Sequence, residues 1–109
     1  MSRIIRLSKA SEIPDGGLRS FNVDGEKVLV ANVLGEFYAV EDHCTHMGYP
    51  LYLGSLDGKV ITCGFHYAKF DVTTGKVLSP PAHSSLKAYK VTIENSDILL
   101  ELQGGRKAK

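Results

Sequence analysis

Four side chains stand out for the chemistry they offer: Cys44, His46, Cys63 and His66. They come as two like pairs, Cys-x-His and Cys-x-x-His, with 16 residues between the pairs. Thiolate sulfur and imidazole nitrogen are soft to borderline donors, and four of them suit one metal centre. Two short pairs on separate loops can close around such a centre without either loop wrapping it alone. On ligand identity alone, a structural zinc site of the Cys2His2 type competes with redox metal chemistry. A Cys44–Cys63 disulfide fits less well, because the chain has a cytoplasmic character that keeps thiols reduced.

The segments around these residues must hold them in loops. His43–Gly54 (HCTHMGYPLYLG) carries His, Cys, Gly and Pro where a strand would want β-branched residues, so it reads as a loop. Short β-type runs surround it. Arg3–Leu7 reads as a first strand, and Ser8–Gly17 as a loop or short helical turn. Leu18–Val23 and Lys27–Val33 flank Asp24-Gly25, a strong hairpin signal, and Leu34-Gly35 leads into Glu36–Val40. Asp57-Gly58 precedes Lys59–Cys63, and Lys69–Val72 and Lys76–Leu78 flank Thr73-Thr74-Gly75. Tyr89–Ile93 and Ile98–Leu102 close the pattern around Asn95-Ser96-Asp97. No segment sustains helical periodicity, so the expected fold is all-β, an antiparallel sandwich or small barrel.

The remaining bounds are broad. A chain of 109 residues suits one domain, and a metal centre would add to the stability of so small a core. Its formal net charge of +1 argues against a nucleic-acid binder. No run approaches the ~20 apolar residues of a membrane span, and the first residues lack the apolar stretch of a secretory signal. We therefore expect a cytoplasmic protein with no membrane anchor, a single domain over 1–103, and a flexible tail over 104–109.

Spacing and flanks narrow the choice. The run C-T-H, 16 residues, C-G-F-H, then F-D-V-T-T-G and P-P-A closely resembles the Rieske [2Fe–2S] ferredoxin family. The matching stretch runs from Cys44 to Ala82, more than a third of the chain. The resemblance implies a cluster-binding subdomain over about residues 42–82 and one [2Fe–2S] cluster per chain. Cys44 and Cys63 would bind one iron, and His46 and His66 the other. Ser79-Pro80-Pro81-Ala82 matches the family's proline-bearing loop, which covers the cluster. The implied function is one-electron transfer: resemblance to ferredoxin components of bacterial aromatic-ring dioxygenase systems suggests a flavin reductase as donor and a terminal oxygenase as acceptor, while soluble archaeal Rieske proteins of similar size look equally close and imply no particular partner.

The resemblance also bears on reduction potential. High-potential members carry an extra cysteine in each ligand loop, joined by a disulfide; Tyr49 and Phe65 stand at those places here. They also carry a serine and a tyrosine whose hydroxyls bond to sulfur, where this chain has Ala68 and Phe70. Hydroxyl donors to sulfur favour the reduced, more negative state. Their absence implies a potential toward the low end of the Rieske range, roughly −150 mV rather than +300 mV.

Three rivals remain in view. An oxygenase needs two further histidines and a carboxylate for mononuclear iron, and only His43 and His83 are left over. No Gly-rich dinucleotide fingerprint appears either, so catalysis by this chain alone is not expected. The small subunit of assimilatory nitrite reductases shares this size but often lacks the four ligands. A structural zinc module uses the same ligands and would be colourless. Met47, Tyr49, Pro50, Leu51 and Tyr67 are unusually apolar for loops, which suits shielding of the centre or docking of redox partners.

Overall fold

The computed structural model describes residues 2–43, 50–64, 68–79 and 85–103. Among the described residues ten strands follow in order: β1 Ser2–Lys9, β2 Leu18–Val23, β3 Glu26–Val33, β4 Glu36–Glu41, β5 Ser55–Asp57, β6 Val60–Thr62, β7 Lys69–Asp71, β8 Val77–Ser79, β9 Ala88–Glu94 and β10 Asp97–Gln103. Every pairing among them is antiparallel. The fold is all-β, as the strand pattern requires. Six strands form one sheet in the order β1-β10-β9-β4-β3-β2, and β5-β6-β7-β8 form a second.

The sequence of β3, EKVLVANV, explains how the two sheets meet. Its five consecutive residues Val28–Asn32 are all buried, so both faces of the strand are covered. A strand with one wet face would alternate apolar and polar residues; a near-continuous apolar run belongs between two layers. Val28 and Val30 join Val23, Ala39, Ile98, Leu100 and Leu102 in a core inside the curled six-stranded sheet. Leu29 and Ala31 point the other way. With Val40 they join Leu51, Ile61, Cys63, Ala68, Phe70, Val72 and Leu86 in a second core beneath the small sheet.

Tight turns set the registers. Asp24 and Gly25 (φ 53° and 84°) both take the left-handed conformation that matches strand twist in two-residue hairpins. Asn95 and Ser96 do the same between β9 and β10. Leu34 is the unusual case. An exposed leucine at φ 53° opens the β3–β4 turn, held by its N–H donating to Asp15 Oδ1 (2.8 Å).

The structure differs from the sequence reading in two places near the loops. The segment read as loop to Gly54 contains a 3₁₀ turn, Leu51–Leu53, and Leu51 is fully buried. Next to it, Ser55–Asp57 is a strand with no β-branched residue; pairing with β6, not local propensity, makes it one. The expected tail over 104–109 lies outside the described residues. Among the described residues, no helix is long and apolar enough to cross a membrane.

Leu34 buries little and pays for a left-handed backbone that asparagine adopts more readily. Leu34→Asn should therefore raise stability by about 0.5–1 kcal/mol, read as a higher urea midpoint at unchanged slope. An unchanged or lower midpoint would show that the turn is unstrained.

Candidate functional site: three loops closed at their roots

Three chain segments depart from described strands near Cys63, and each is closed by hydrogen bonds between the described residues where it begins and ends. The first departs from β4 through Asp42 and His43 and returns at Pro50 and the 3₁₀ turn. Asp42 is only 2% exposed. Its Oδ1 accepts the Tyr52 N–H (3.0 Å) and its Oδ2 accepts the Ser20 hydroxyl (2.5 Å), while its own N–H donates to the Lys27 carbonyl (2.9 Å). The second departs at Cys63, whose N–H donates to the Ala68 carbonyl (2.7 Å). The third departs from β8 and returns at Ser85, whose Oγ accepts the Val77 N–H (3.1 Å). Behind it, the Leu86 N–H donates to the Gly75 carbonyl (2.7 Å).

The three roots are also tied to one another. Gly54, just past the first loop, presses on the strand that leads into the second: a Cβ there would collide with the Thr62 carbonyl and lie 3.2 Å from the Gly64 nitrogen. Only glycine fits such a backbone approach. Glu41 ties the first root to the third. Its N–H donates to the Lys87 carbonyl (2.9 Å) and its Oε1 accepts the Lys87 N–H (2.8 Å). Its Oε2 lies 3.7 Å from His43 Nε2 on the surface.

Charged groups extend this junction. The Tyr89 hydroxyl donates to Glu26 Oε1 (2.8 Å), and Lys87 Nζ lies 3.9 Å from that oxygen and 5.1 Å from the Tyr89 ring centre. Burial, then the bond to Glu26, pushes the phenol pKa well up, so Tyr89 remains a donor across the physiological range. A recess of about 350 Å³ beside it is lined by Glu26, Glu41, Asp42, His43 and Tyr89, among others. So polar a lining suits water better than a small apolar ligand.

The turn between β7 and β8 braces the platform from below. Asp71 Oδ1 accepts both the N–H (2.9 Å) and the hydroxyl (2.6 Å) of Thr73. Burial alone would raise the Asp71 pKa, but the Thr73 bonds and the nearby Lys59 ammonium (3.6 Å) outweigh it and lower it. Gly75 closes the same turn at φ 85°, where a Cβ would strike the Leu86 carbonyl.

Of the four candidate ligands, Cys63 lies at the end of β6, fully buried against Ala68, Phe70 and Ile61. Cys44, His46 and His66 lie outside the described residues, as do Tyr49, Phe65, His83 and the prolines at 80 and 81. Ala68 and Phe70 are both fully buried, Phe70 paired with Ile61 across the small sheet. Asp42, Glu41 and Gly54 escaped the sequence reading as site residues. A signal was present: Glu41 and Asp42 follow the apolar run Phe37–Val40, one residue short of the first Cys-x-His pair.

With this geometry in view, the class of protein is plain. Residues 3–90 match the family model described as the Rieske [2Fe–2S] domain, and the chain belongs to that family. It is similar to the biphenyl dioxygenase ferredoxin subunit of Pseudomonas sp. (strain KKS102), 45% identical over 97 residues that cover 88% of this chain and 89% of the relative. The biphenyl 2,3-dioxygenase ferredoxin component of Rhodococcus jostii (strain RHA1) is 36% identical, covering 94% and 95%. Among solved structures, the fold resembles Sphingomonas yanoikuyae B1 ferredoxin (TM-score 0.87, 30% identity, 93% of this chain and 100% of that one). It also resembles a chain in the complex of reduced oxygenase and oxidized ferredoxin in carbazole 1,9a-dioxygenase (TM-score 0.88, 34% identity, 97% of each chain). This chain is thus a Rieske-type electron carrier with one [2Fe–2S] cluster, an electron-transfer component and not a catalytic subunit.

Because the native Asp71 pKa is lowered, its ionised form contributes stability above the unfolded-state value near 4, lost as pH falls through the native pKa. Asp71→Asn should cost about 1–2 kcal/mol at pH 7, and the deficit should persist to about pH 4 and shrink as pH falls below it. Denaturant midpoints at pH 7 and well below pH 4 test this; a deficit unchanged across that window would assign the effect to packing.

Proposed function

We propose that this chain carries electrons singly to the terminal oxygenase of an aromatic-ring dioxygenase system, holding its cluster through Cys44, His46, Cys63 and His66. The observation that carries the ligand assignment is the union of the loop roots. Gly54 brings the root of the loop bearing Cys44 and His46 against the backbone beside Cys63. The donor set fits the group: two cysteines and two histidines are the Rieske ligation, and Cys63 already sits on a root pinned by backbone bonds. The cluster-binding unit would span about residues 42–82 within one domain of residues 1–103. When bound, the cluster accepts and releases one electron with little change in covalent structure.

The chain's own residues supply position, dryness and charge. Ala68, Phe70, Ile61 and Leu51 wall Cys63 from water on the core side. Neutral His46 and His66, in place of two thiolates, make the site less negative and the electron easier to accept than with four cysteines. Acceptor identity is supported by the relatives, which are ferredoxin components of biphenyl and naphthalene dioxygenase systems. The donor in this reading is a flavin reductase, and the place of work is the cytoplasm.

The experiment is an optical and low-temperature EPR spectrum of the purified protein before and after dithionite. A visible absorbance that bleaches, with a mean g value below that of four-cysteine clusters, is expected. A colourless protein with about one zinc per chain would overturn the reading.

The potential is expected near −150 mV on the order of the Rieske lower limit, because neither Ala68 nor Phe70 brings a hydroxyl to sulfur. Ala68→Ser restores one donor. A hydrogen bond favouring the reduced state by about 1 kcal/mol is worth roughly 40 mV for one electron. Protein-film voltammetry should show an upward shift of that order, and a wild-type potential well above zero would defeat the argument.

A further inference from the structure

We infer that Asp42 is a positioning residue for the cluster: its carboxylate closes the first ligand loop and fixes the direction in which that loop leaves the core. This rests on the ligand assignment above. A carboxylate at 2% exposure is costly to bury and persists only where its oxygens are used. Both are. Oδ1 takes the Tyr52 N–H ten residues ahead, and Oδ2 takes the Ser20 hydroxyl on β2. The Asp42 N–H is meanwhile held by the Lys27 carbonyl on β3.

One side chain therefore joins β2, the end of β4 and the 3₁₀ turn at Leu51–Leu53. It stands two residues before Cys44. The second loop closes its root by a backbone bond, Cys63 to Ala68. At the first root, the bond to Tyr52 runs through a side chain, so this closure is open to substitution without altering the backbone. Two oxygens of one side chain, each held by its own donor, fix the root in direction as well as distance. A base fixed at three points allows the loop little freedom to splay when iron is challenged by a competitor.

The test compares wild type, Asp42→Ala, Asp42→Asn and Ser20→Ala as cluster-loaded proteins. Three quantities are read: the rate of iron release to a chelator, the EPR linewidth, and amide exchange over residues 50–54. Asparagine keeps an acceptor for Tyr52 and lets the Ser20 hydroxyl reverse its role; alanine keeps neither. Asp42→Ala should release iron about tenfold faster, as loss of both side-chain bonds implies, with broadened EPR lines and faster exchange. Asp42→Asn should stay within about twofold of wild type, and Ser20→Ala should fall between. If Asp42→Ala does not fold, the Asn and Ser20 variants carry the comparison: Ser20→Ala must exceed Asp42→Asn in release rate.

Wild-type release and linewidth in Asp42→Ala would overturn the inference. So would an Asn variant as impaired as the Ala variant, since charge and not geometry would then matter. A wild-type chain without a Rieske EPR signal would overturn the parent reading as well, which separates the two failures.

Discussion

Everything in this molecule depends on β3 being buried on both faces. The run Val28–Asn32 serves two cores at once, so the six-stranded sheet and the small sheet share a wall instead of meeting through a linker. Val28 and Val30 on one face and Leu29 and Ala31 on the other make that wall stiff: the valines have few rotamers to lose, and close packing transmits displacement. The second core is then a floor as much as a core. Ile61, Phe70 and Leu51 press up from the wall, and Cys63 stands among them. Cys63 thus acquires a fixed origin from residues far from it in sequence.

The three loop roots use different chemistry for the same constraint. A backbone bond closes the second, a buried carboxylate the first, and a serine hydroxyl with a backbone bond behind it the third. Gly54 and Glu41 then join root to root. Loops ordered at the base need only short tips to place donor atoms, and short tips lose less entropy on binding a metal centre. This economy suits a 109-residue chain, whose core has little stability to spare.

Much of this was legible in the sequence, and the reasons differ by element. The hairpins were readable because Asp24-Gly25 and Asn95-Ser96 carry their own turn chemistry, and their registers follow from it. β3 was read as a strand, but its burial on both faces was not part of that reading, although Val28–Ala31 is continuously apolar. β5 was not read as a strand, because Ser-Leu-Asp has no strand propensity and exists only through pairing with β6. The candidate ligands announced themselves by residue type and spacing. Asp42 and Gly54 did not: one looks like a solvated acid at a strand end, the other like a loop glycine. Their roles come from what lies 10 residues away, or across to the Thr62 carbonyl, which no local pattern encodes.

An electron carrier is served by a site that changes little between its two redox states, since any rearrangement must be undone at the next transfer. Preorganised groups that need not move at the moment of charge change keep that cost low. The root platform has that character, because its bonds join backbone and buried groups that the rest of the fold already holds. Ala68 and Phe70 fit the same logic. Both face the floor without a hydroxyl that would have to choose between sulfur and a core neighbour. Ala68 and Phe70 thus pack the floor by shape alone, and their part is to hold Cys63 still.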